Sequence, residues 1–395
     1  MRRAASQPPE ELGLSRDGVL LLVATTDGLA RARFSDLPRF LAAGDLLVVN
    51  TSSTLAAAVD GHRPDGRPVA VHLSTPLDDG TWLVELREQS GSLGRVTDAG
   101  PGDTISLPGG ASGTLLYRYP DPRATRLWAS SIVVPGAGDA ARSDSARLDS
   151  ACLDSARGDS AHGDSARSDP ARGDSAAVAD KVTAYLARHG RPIRYSYVPV
   201  SWPLSAYQTV FARDDGSAEM PSAGRPFTPD LVISLIGAGV VLAPITLHAG
   251  VASLETGEPP LPERFNVPEP TAQLVNLTLA ASRRVVAVGT TVTRALESAA
   301  DSSGAVRASS GWTDLVLGAD RPARVVSGLI TGWHDPEASH LALLEAVAGP
   351  DLVRAAYAEA EQAGYLWHEF GDSCLLLPPV PSPRSTDVGR AMPIG

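Results

Sequence analysis

The chain has 395 residues, with 34 Lys+Arg against 45 Asp+Glu and a formal charge of −11, which excludes a globally basic nucleic-acid coat. Its 43% hydrophobic content can bury a sizeable core, and the length suggests two or three domains. Two cysteines, Cys152 and Cys374, are too few for a disulfide framework or a four-thiolate metal site. The polar stretch after Met1-Arg2-Arg3-Ala4 is no signal peptide, and apolar runs such as Leu231–Leu247 are broken by Gly, Ser and Pro. A soluble cytoplasmic protein with no membrane partner is expected.

In chain order, residues 1–58 read as strand–loop–strand, with strands at Gly18–Ala24 and Asp45–Asn50 around an amphipathic Phe34–Ala43. Residues 59–136 change character. Short alternating runs at Val69–Leu73, Trp82–Leu86, Thr104–Leu107 and Gly113–Tyr119, punctuated by Gly, Pro and Asp, predict a small antiparallel β-barrel. From Asp139 an aspartate recurs every five residues to Asp174, mostly followed by Ser-Ala-Arg. Period five matches neither helix nor strand, and no position is consistently apolar, so residues 137–180 read as a disordered insertion. Cys152 and His162 fall inside it, which argues against either being a ligand.

Residues 181–395 alternate helices with apolar strands. Strands are expected at Val240–Leu247, Arg284–Val288, Leu315–Leu317, Val325–Thr331 and Ser373–Leu377. Helices are expected at Ala177–His189, Ala272–Ser282, Thr291–Ala300, Ala338–Ala348 and Asp351–Ala363. Such alternation implies a mainly parallel covered sheet, so the fold class is α/β with a β-barrel inserted into an α/β domain formed by residues 1–58 and 181–395.

The sharpest chemical signal is Arg284–Ser298, where a buried strand ends at Gly289 and Thr290 and Thr291 open a helix. Glycine permits close backbone approach, and free N–H groups with Thr hydroxyls at a helix start suit a carboxylate or ribose hydroxyl; Arg294 is placed to reach back toward it. A well-capped helix explains the same residues without a ligand. Thr246-Leu-His-Ala-Gly250 puts His248 at a strand end, where α/β active sites lie, although a structural histidine is as good an explanation. Tyr207-Gln208 leads to the polar loop Pro221–Thr228, which contains Gly224. His334 and Asp372 each sit beside an apolar strand and are read as an acid–base or ribose-holding pair, or as surface turns.

Together and in this order these stretches resemble the S-adenosylmethionine:tRNA ribosyltransferase-isomerase family of queuosine biosynthesis. Its AVGTT-x-x-R-x-LES block matches Ala287–Ser298 and its YQTV(Y/F) block matches Tyr207–Phe211. Looser blocks correspond to Gly44–Asn50, Pro221–Phe227, Thr246–Gly250, Gly332–Pro336 and Tyr365–Asp372. The family's N-D-T-R-V-I-P-A-R stretch is here Asn50-Thr-Ser-Ser-Thr-Leu-Ala-Ala-Ala58, without its arginines. The family's loop histidine is replaced at Arg225-Pro226, and its D-H-x-M-H segment by a Pro-rich stretch around Glu258–Glu263.

The resemblance implies transfer and isomerisation of the ribosyl part of S-adenosylmethionine onto 7-aminomethyl-7-deazaguanine in tRNA, releasing adenine and methionine. S-adenosylmethionine is then a co-substrate, and no cofactor or metal is expected. The implied catalytic set is His248 as base, with His334 and Asp372. The implied substrate-binding set is Thr290, Thr291, Arg294, Tyr207, Gln208 and Gly224. Partners are S-adenosylmethionine and tRNA, with a monomer expected. Two other readings stay open: a paralogue with a small-molecule acceptor, which the acidic net charge, the lost arginines and the insertion support, and an inactive RNA-binding member, against which the retained AVGTT block stands.

Overall fold

The computed structural model describes residues 3–89, 94–136, 170–251, 261–334 and 340–379. The chain divides into two compact units, Met1–Leu55 with Pro192–Gly395, and Ala56–Arg191.

The first unit is built on a nine-stranded sheet among the described residues. Its order is Ser309–Thr313, Glu263–Val267, Val241–Leu247, Leu46–Asn50, Val285–Val288, Gly328–Gly332, Ser373–Leu377, Leu20–Thr25 and Gly28–Arg33. The four strands from Val241–Leu247 to Gly328–Gly332 run parallel; antiparallel pairing dominates the flanks. The sheet is therefore mixed, with a parallel centre. Central strands read as unbroken apolar runs because both faces are covered. Leu46, Val48, Val285, Ala287 and Leu329 face one core with Val292, Ala295, Leu296 and Trp333. The alternate residues Leu47, Val49, Val286, Val288 and Ile330 face another with Phe34, Phe227 and Leu235. Each fully buried Leu or Val contributes about 1.5–3 kcal/mol, so a charge at Leu47 would cost the fold directly.

Six helices are named in chain order: α1 Pro170–His189, α2 Pro229–Gly237, α3 Glu269–Ala280, α4 Thr290–Ser298, α5 His340–Ala348 and α6 Pro350–Ala363. Helix α2 supplies Leu231 and Leu235 to the second core, whereas α3 to α6 supply the first. Helix α2, which is not among the expected helices, starts where the Thr228 hydroxyl accepts the Leu231 N–H at 3.2 Å, with Pro229 in the first turn.

The second unit is a closed antiparallel barrel of Ala58–His62, Pro68–Pro76, Trp82–Arg87, Thr104–Ser106, Ser112–Tyr119 and Leu127–Val133. Helix α1 belongs to this unit, burying Val182, Tyr185 and Leu186, with the Tyr185 hydroxyl donating to the Pro108 carbonyl at 3.0 Å.

Several expectations change. Leu315–Leu317 is not a strand, although both leucines are buried, because the Leu315 N–H and carbonyl pair with Thr313 and Arg294 side chains instead of a neighbouring strand. The sequence does not mark the strands Gly28–Arg33, Glu263–Val267 and Ser309–Thr313: they lie at the sheet's flanks, where the first buries no residue, the second only Phe265 and Val267 and the third only Thr313. Of the period-five segment, residues 137–169 lie outside the described residues, while residues from Pro170 onward are helical. Cys152 and His162 fall outside the description.

Candidate functional site

The parallel strand Leu46–Asn50 has Val241–Leu247 on one side and Val285–Val288 on the other, and the connections leave on opposite faces of the sheet. This is a topological switch point, and the crevice beyond its carboxyl edge is where open α/β sheets bind ligands. Four strand ends meet there: Asn50, Leu247-His248, Gly289-Thr290 and Gly332-Trp333-His334.

Asn50 ties three of them together. Its amide donates to the Leu247 carbonyl at 2.8 Å and to the Thr291 hydroxyl at 3.3 Å. Its oxygen accepts the Leu247 and Ser52 N–H groups, both at 3.0 Å. A buried amide filling all these roles holds the strand ends open at fixed spacing. Gly289 caps helix α4 at φ 95°, left-handed territory that favours glycine, and an added Cβ would sit 3.3 Å from Ala223 in the Pro221–Thr228 loop. The Thr290-Thr291 start of α4 and the loop containing Gly224 are thereby brought together, and the first-turn N–H groups, which a helix leaves without internal partners, are of the kind that suits an anion or hydroxyl.

His248 follows the Val241–Leu247 strand directly, and its Nδ1 lies 2.8 Å from the Ser52 hydroxyl. Ser52 in turn lies 2.6 Å from the Ser217 hydroxyl. The short parallel pair Ser52–Thr54 and Asp214–Ser217 creates this contact. It also brings in two carboxylates: Asp214 accepts from Thr51 at 2.7 Å and Thr246 at 3.2 Å, and Asp215 accepts from Ser53. Burial lowers the His248 pKa first of all; Asp214 and Asp215 oppose this and Arg264 reinforces it. The imidazole is therefore neutral at pH 7. Gly216 is required here sterically, since a Cβ would lie 2.4 Å from Nδ1.

The remaining expected residues take supporting places. Gln208 grips the Ser52–Thr54 strand by its amide, accepting the Thr54 N–H at 2.9 Å and donating to the Thr54 carbonyl at 2.7 Å. Tyr207 is buried against Phe370 with ring centroids 5.2 Å apart, and burial pushes its hydroxyl up to about 12. Arg294 is not a free carboxylate partner. Its guanidinium pairs with Glu263 and donates to the carbonyls of Leu315, Leu261 and Thr313. Glu263 also accepts the Gly250 N–H at 3.2 Å, so Arg294 braces the backbone that follows His248. Glu297 accepts the N–H groups of Arg324, Val325 and Val326 and anchors that loop.

Asp372 does not pair with His334. One carboxylate oxygen accepts the Leu20 N–H and the other the Leu366 N–H, each at 2.7 Å. Buried donors at a strand start took this aspartate, a structural role. His334 lies at the crevice edge, its ring stacked 4.7 Å from that of His340, and burial with the nearby His340 and His368 lowers its pKa to about 3. It too is neutral. The sequence reading missed Ser52, Ser217, Asp214 and Asp215 as site residues. Their one signal in the sequence is the run of hydroxyls at the carboxyl end of a buried strand, Thr51-Ser-Ser-Thr54.

Residues 1–376 match the family model for queuosine biosynthesis proteins. A relative named S-adenosylmethionine:tRNA ribosyltransferase-isomerase from Acidiphilium cryptum is 33% identical over 387 residues, covering 93% of this chain and 96% of its own. This chain belongs to that family. Relatives of the same name from Nitratidesulfovibrio vulgaris (strain Hildenborough) and Thermus thermophilus are 34% and 32% identical, over 95% and 94% of this chain and 94% and 97% of theirs. A crystal structure of S-adenosylmethionine tRNA ribosyltransferase from Thermotoga maritima aligns with a TM-score of 0.44 at 23% identity, covering 94% of this chain and 98% of that one. Within this queuosine biosynthesis family member, the block Ala287–Ser298 occupies the switch point and Tyr207–Phe211 braces the hydroxyl-bearing strand opposite. No described helix is long and apolar enough to cross a membrane.

Proposed function

We propose that the chain is an S-adenosylmethionine:tRNA ribosyltransferase-isomerase. It transfers and isomerises the ribosyl moiety of S-adenosylmethionine onto the aminomethyl group of 7-aminomethyl-7-deazaguanine in tRNA, giving epoxyqueuosine-tRNA, adenine and methionine. The observation that carries this reading is the meeting of Asn50, Thr290-Thr291 and His248 at the switch point of a chain that matches the family over residues 1–376.

The chemistry suits these groups. A sulfonium acidifies the adjacent 5′ carbon, so loss of a proton there starts the departure of methionine and adenine. The open start of α4 with Thr290 and Thr291 supports binding of ribose hydroxyls or the methionine carboxylate. Asp214 and Asp215 beside His248 give the site the negative charge that a sulfonium cation requires, and a neutral imidazole adds no repulsion. His334 lines the same edge. Asn50, Gln208 and Arg294 hold the frame. S-adenosylmethionine serves as co-substrate without a further cofactor, and a cytoplasmic monomer acting on tRNA accords with this activity.

The deciding experiment incubates the purified chain with S-adenosylmethionine, with and without tRNA bearing the deazaguanine base, and follows adenine by mass spectrometry. Adenine release dependent on that tRNA, with a mass gain on the tRNA, supports the reading. Release that ignores tRNA, or no release, overturns it.

A further inference from the structure

The hydrogen bonds around His248 have a direction, and that direction bears on what the histidine does. Ser217 is fully buried, and among the described residues its hydroxyl meets two groups, the Ala249 N–H at 3.0 Å and the Ser52 hydroxyl at 2.6 Å. An N–H can only donate. Ser217 therefore accepts from Ala249, and its own proton has one place to go, the Ser52 oxygen. Ser52 is also fully buried, and with that oxygen accepting from Ser217 it directs its proton to His248 Nδ1 at 2.8 Å. The reverse direction, His248 Nδ1–H to Ser52 to Ser217, would leave the Ser217 hydroxyl proton buried without an acceptor. That penalty disfavours the reverse arrangement by roughly 10-fold or more.

We infer that the Ala249–Ser217–Ser52 chain fixes His248 as a neutral imidazole protonated on Nε2, so that it serves the reaction as a hydrogen-bond donor to an oxygen or nitrogen of the substrate and not as the base. Its single lone pair is occupied by Ser52, and its proton stands on Nε2. Ser52 and Ser217 are positioning residues that act through His248. Gly216 lies against the ring, where an added Cβ would fall 2.4 Å from Nδ1. The charged groups facing the ring are Asp214, Asp215 and Arg264.

The donor role rests on the proposed activity; the tautomer does not. The test labels the histidines of the full chain with nitrogen-15 and records long-range proton–nitrogen correlations at neutral pH, the His248 signals being identified by their loss in His248→Gln. A protonated Nε2 with a bare Nδ1 is expected, and Ser217→Ala or Ser52→Ala should shift the ring toward a mixture of tautomers. A protonated Nδ1, or an imidazolium, in the parent chain overturns the inference. In adenine-release assays His248→Gln, whose amide N–H can stand near the Nε2 position, should retain about 10-fold more kcat than His248→Asn. Equal loss in both overturns the donor role. If the parent chain releases no adenine the proposed activity fails, and the spectrum still decides the tautomer.

Discussion

At the scale of single residues, the structure separates groups that face the crevice from groups that hold it open, and Arg294 is the clearest case. It stands in the most recognisable block of the sequence, three residues after Thr291, where a helix start suggests an anion partner. Folded, it is buried and paired with Glu263, itself held above its ordinary pKa chiefly by burial and only partly relieved by Arg294. Arg294→Ala should therefore lower stability by about 3 kcal/mol, because it leaves a carboxylate buried without its counter-charge. Denaturant titration of Arg294→Ala and of Arg294→Ala with Glu263→Gln checks this: the double variant should recover part of the loss, and equal stability of the two would remove the pair from the framework. Gly216→Ala should act differently. The backbone there stands at φ 159°, which side chains rarely adopt, and the new Cβ would fall 2.4 Å from His248 Nδ1 and must push the ring aside. Displacement of about 1 Å at a reacting group costs roughly 10²-fold in rate, so kcat for adenine release by the folded variant should fall by that order in a steady-state assay.

At the scale of elements, the parallel strands and helices of the sheet unit were legible because each obeys a strong local rule. Leu46–Asn50 and Val285–Val288 are continuous apolar runs, Ser373–Leu377 is one flanked by polar turns, and α4 follows a glycine that marks its start. The barrel showed through alternation, although Ala58–His62 and Leu127–Val133 carried too much Ala, Ser and Gly to be seen. The site was half legible. His248, Thr290 and Thr291 announce themselves by position at strand and helix ends. Ser52 and Ser217 meet only because two three- to four-residue strands pair across 165 positions, and no local pattern encodes that. Asp372 shows the converse failure: a polar residue beside an apolar strand looks functional until its two N–H partners are seen. The turn before it carries a titrating group. Glu369 packs by Tyr197, whose ring stacks 4.2 Å from His368, and burial raises the Glu369 pKa to about 7 against an ordinary 4.5. A carboxyl with a raised folded pKa binds its proton more tightly folded than unfolded, so its contribution is full below 4.5 and is lost as pH rises to 7. At about 1.4 kcal/mol per pH unit, stability should fall by up to about 3 kcal/mol across that window. Glu369→Gln should flatten this part of the profile in denaturation curves at stepped pH; an unchanged slope would assign the titration elsewhere.

At the scale of the whole molecule, the repeat-bearing stretch divides into two parts that composition alone ran together. The five-residue period continues to Asp174, yet Pro170–His189 is one helix, and its later turns bury Val182, Tyr185 and Leu186 in the barrel unit. A helix docked by its second half still needs its first turns. Isolated segments shorter than about 12 residues hold helical structure poorly, so cutting the helix to the buried residues weakens the docking of all three. Residues 139–168 are different. They offer Asp, Ser, Ala, Arg and Gly with no regular apolar position, and shortening a connection costs the fold little because closure entropy varies only as the logarithm of length, about 0.6 kcal/mol per doubling. Replacing residues 139–168 with a Gly/Ser linker of about ten residues should leave the melting temperature within about 2 °C and the adenine-release rate within about twofold. Extending the deletion through Val178 should lower the melting temperature by several degrees, since burial of Val182, Tyr185 and Leu186 contributes about 1.5–3 kcal/mol each and is at risk. Scanning calorimetry of the two deletions side by side checks the boundary: equal melting temperatures would mean that the early turns of α1 carry none of its docking, and a large drop from the shorter deletion would mean that the repeats support the fold directly.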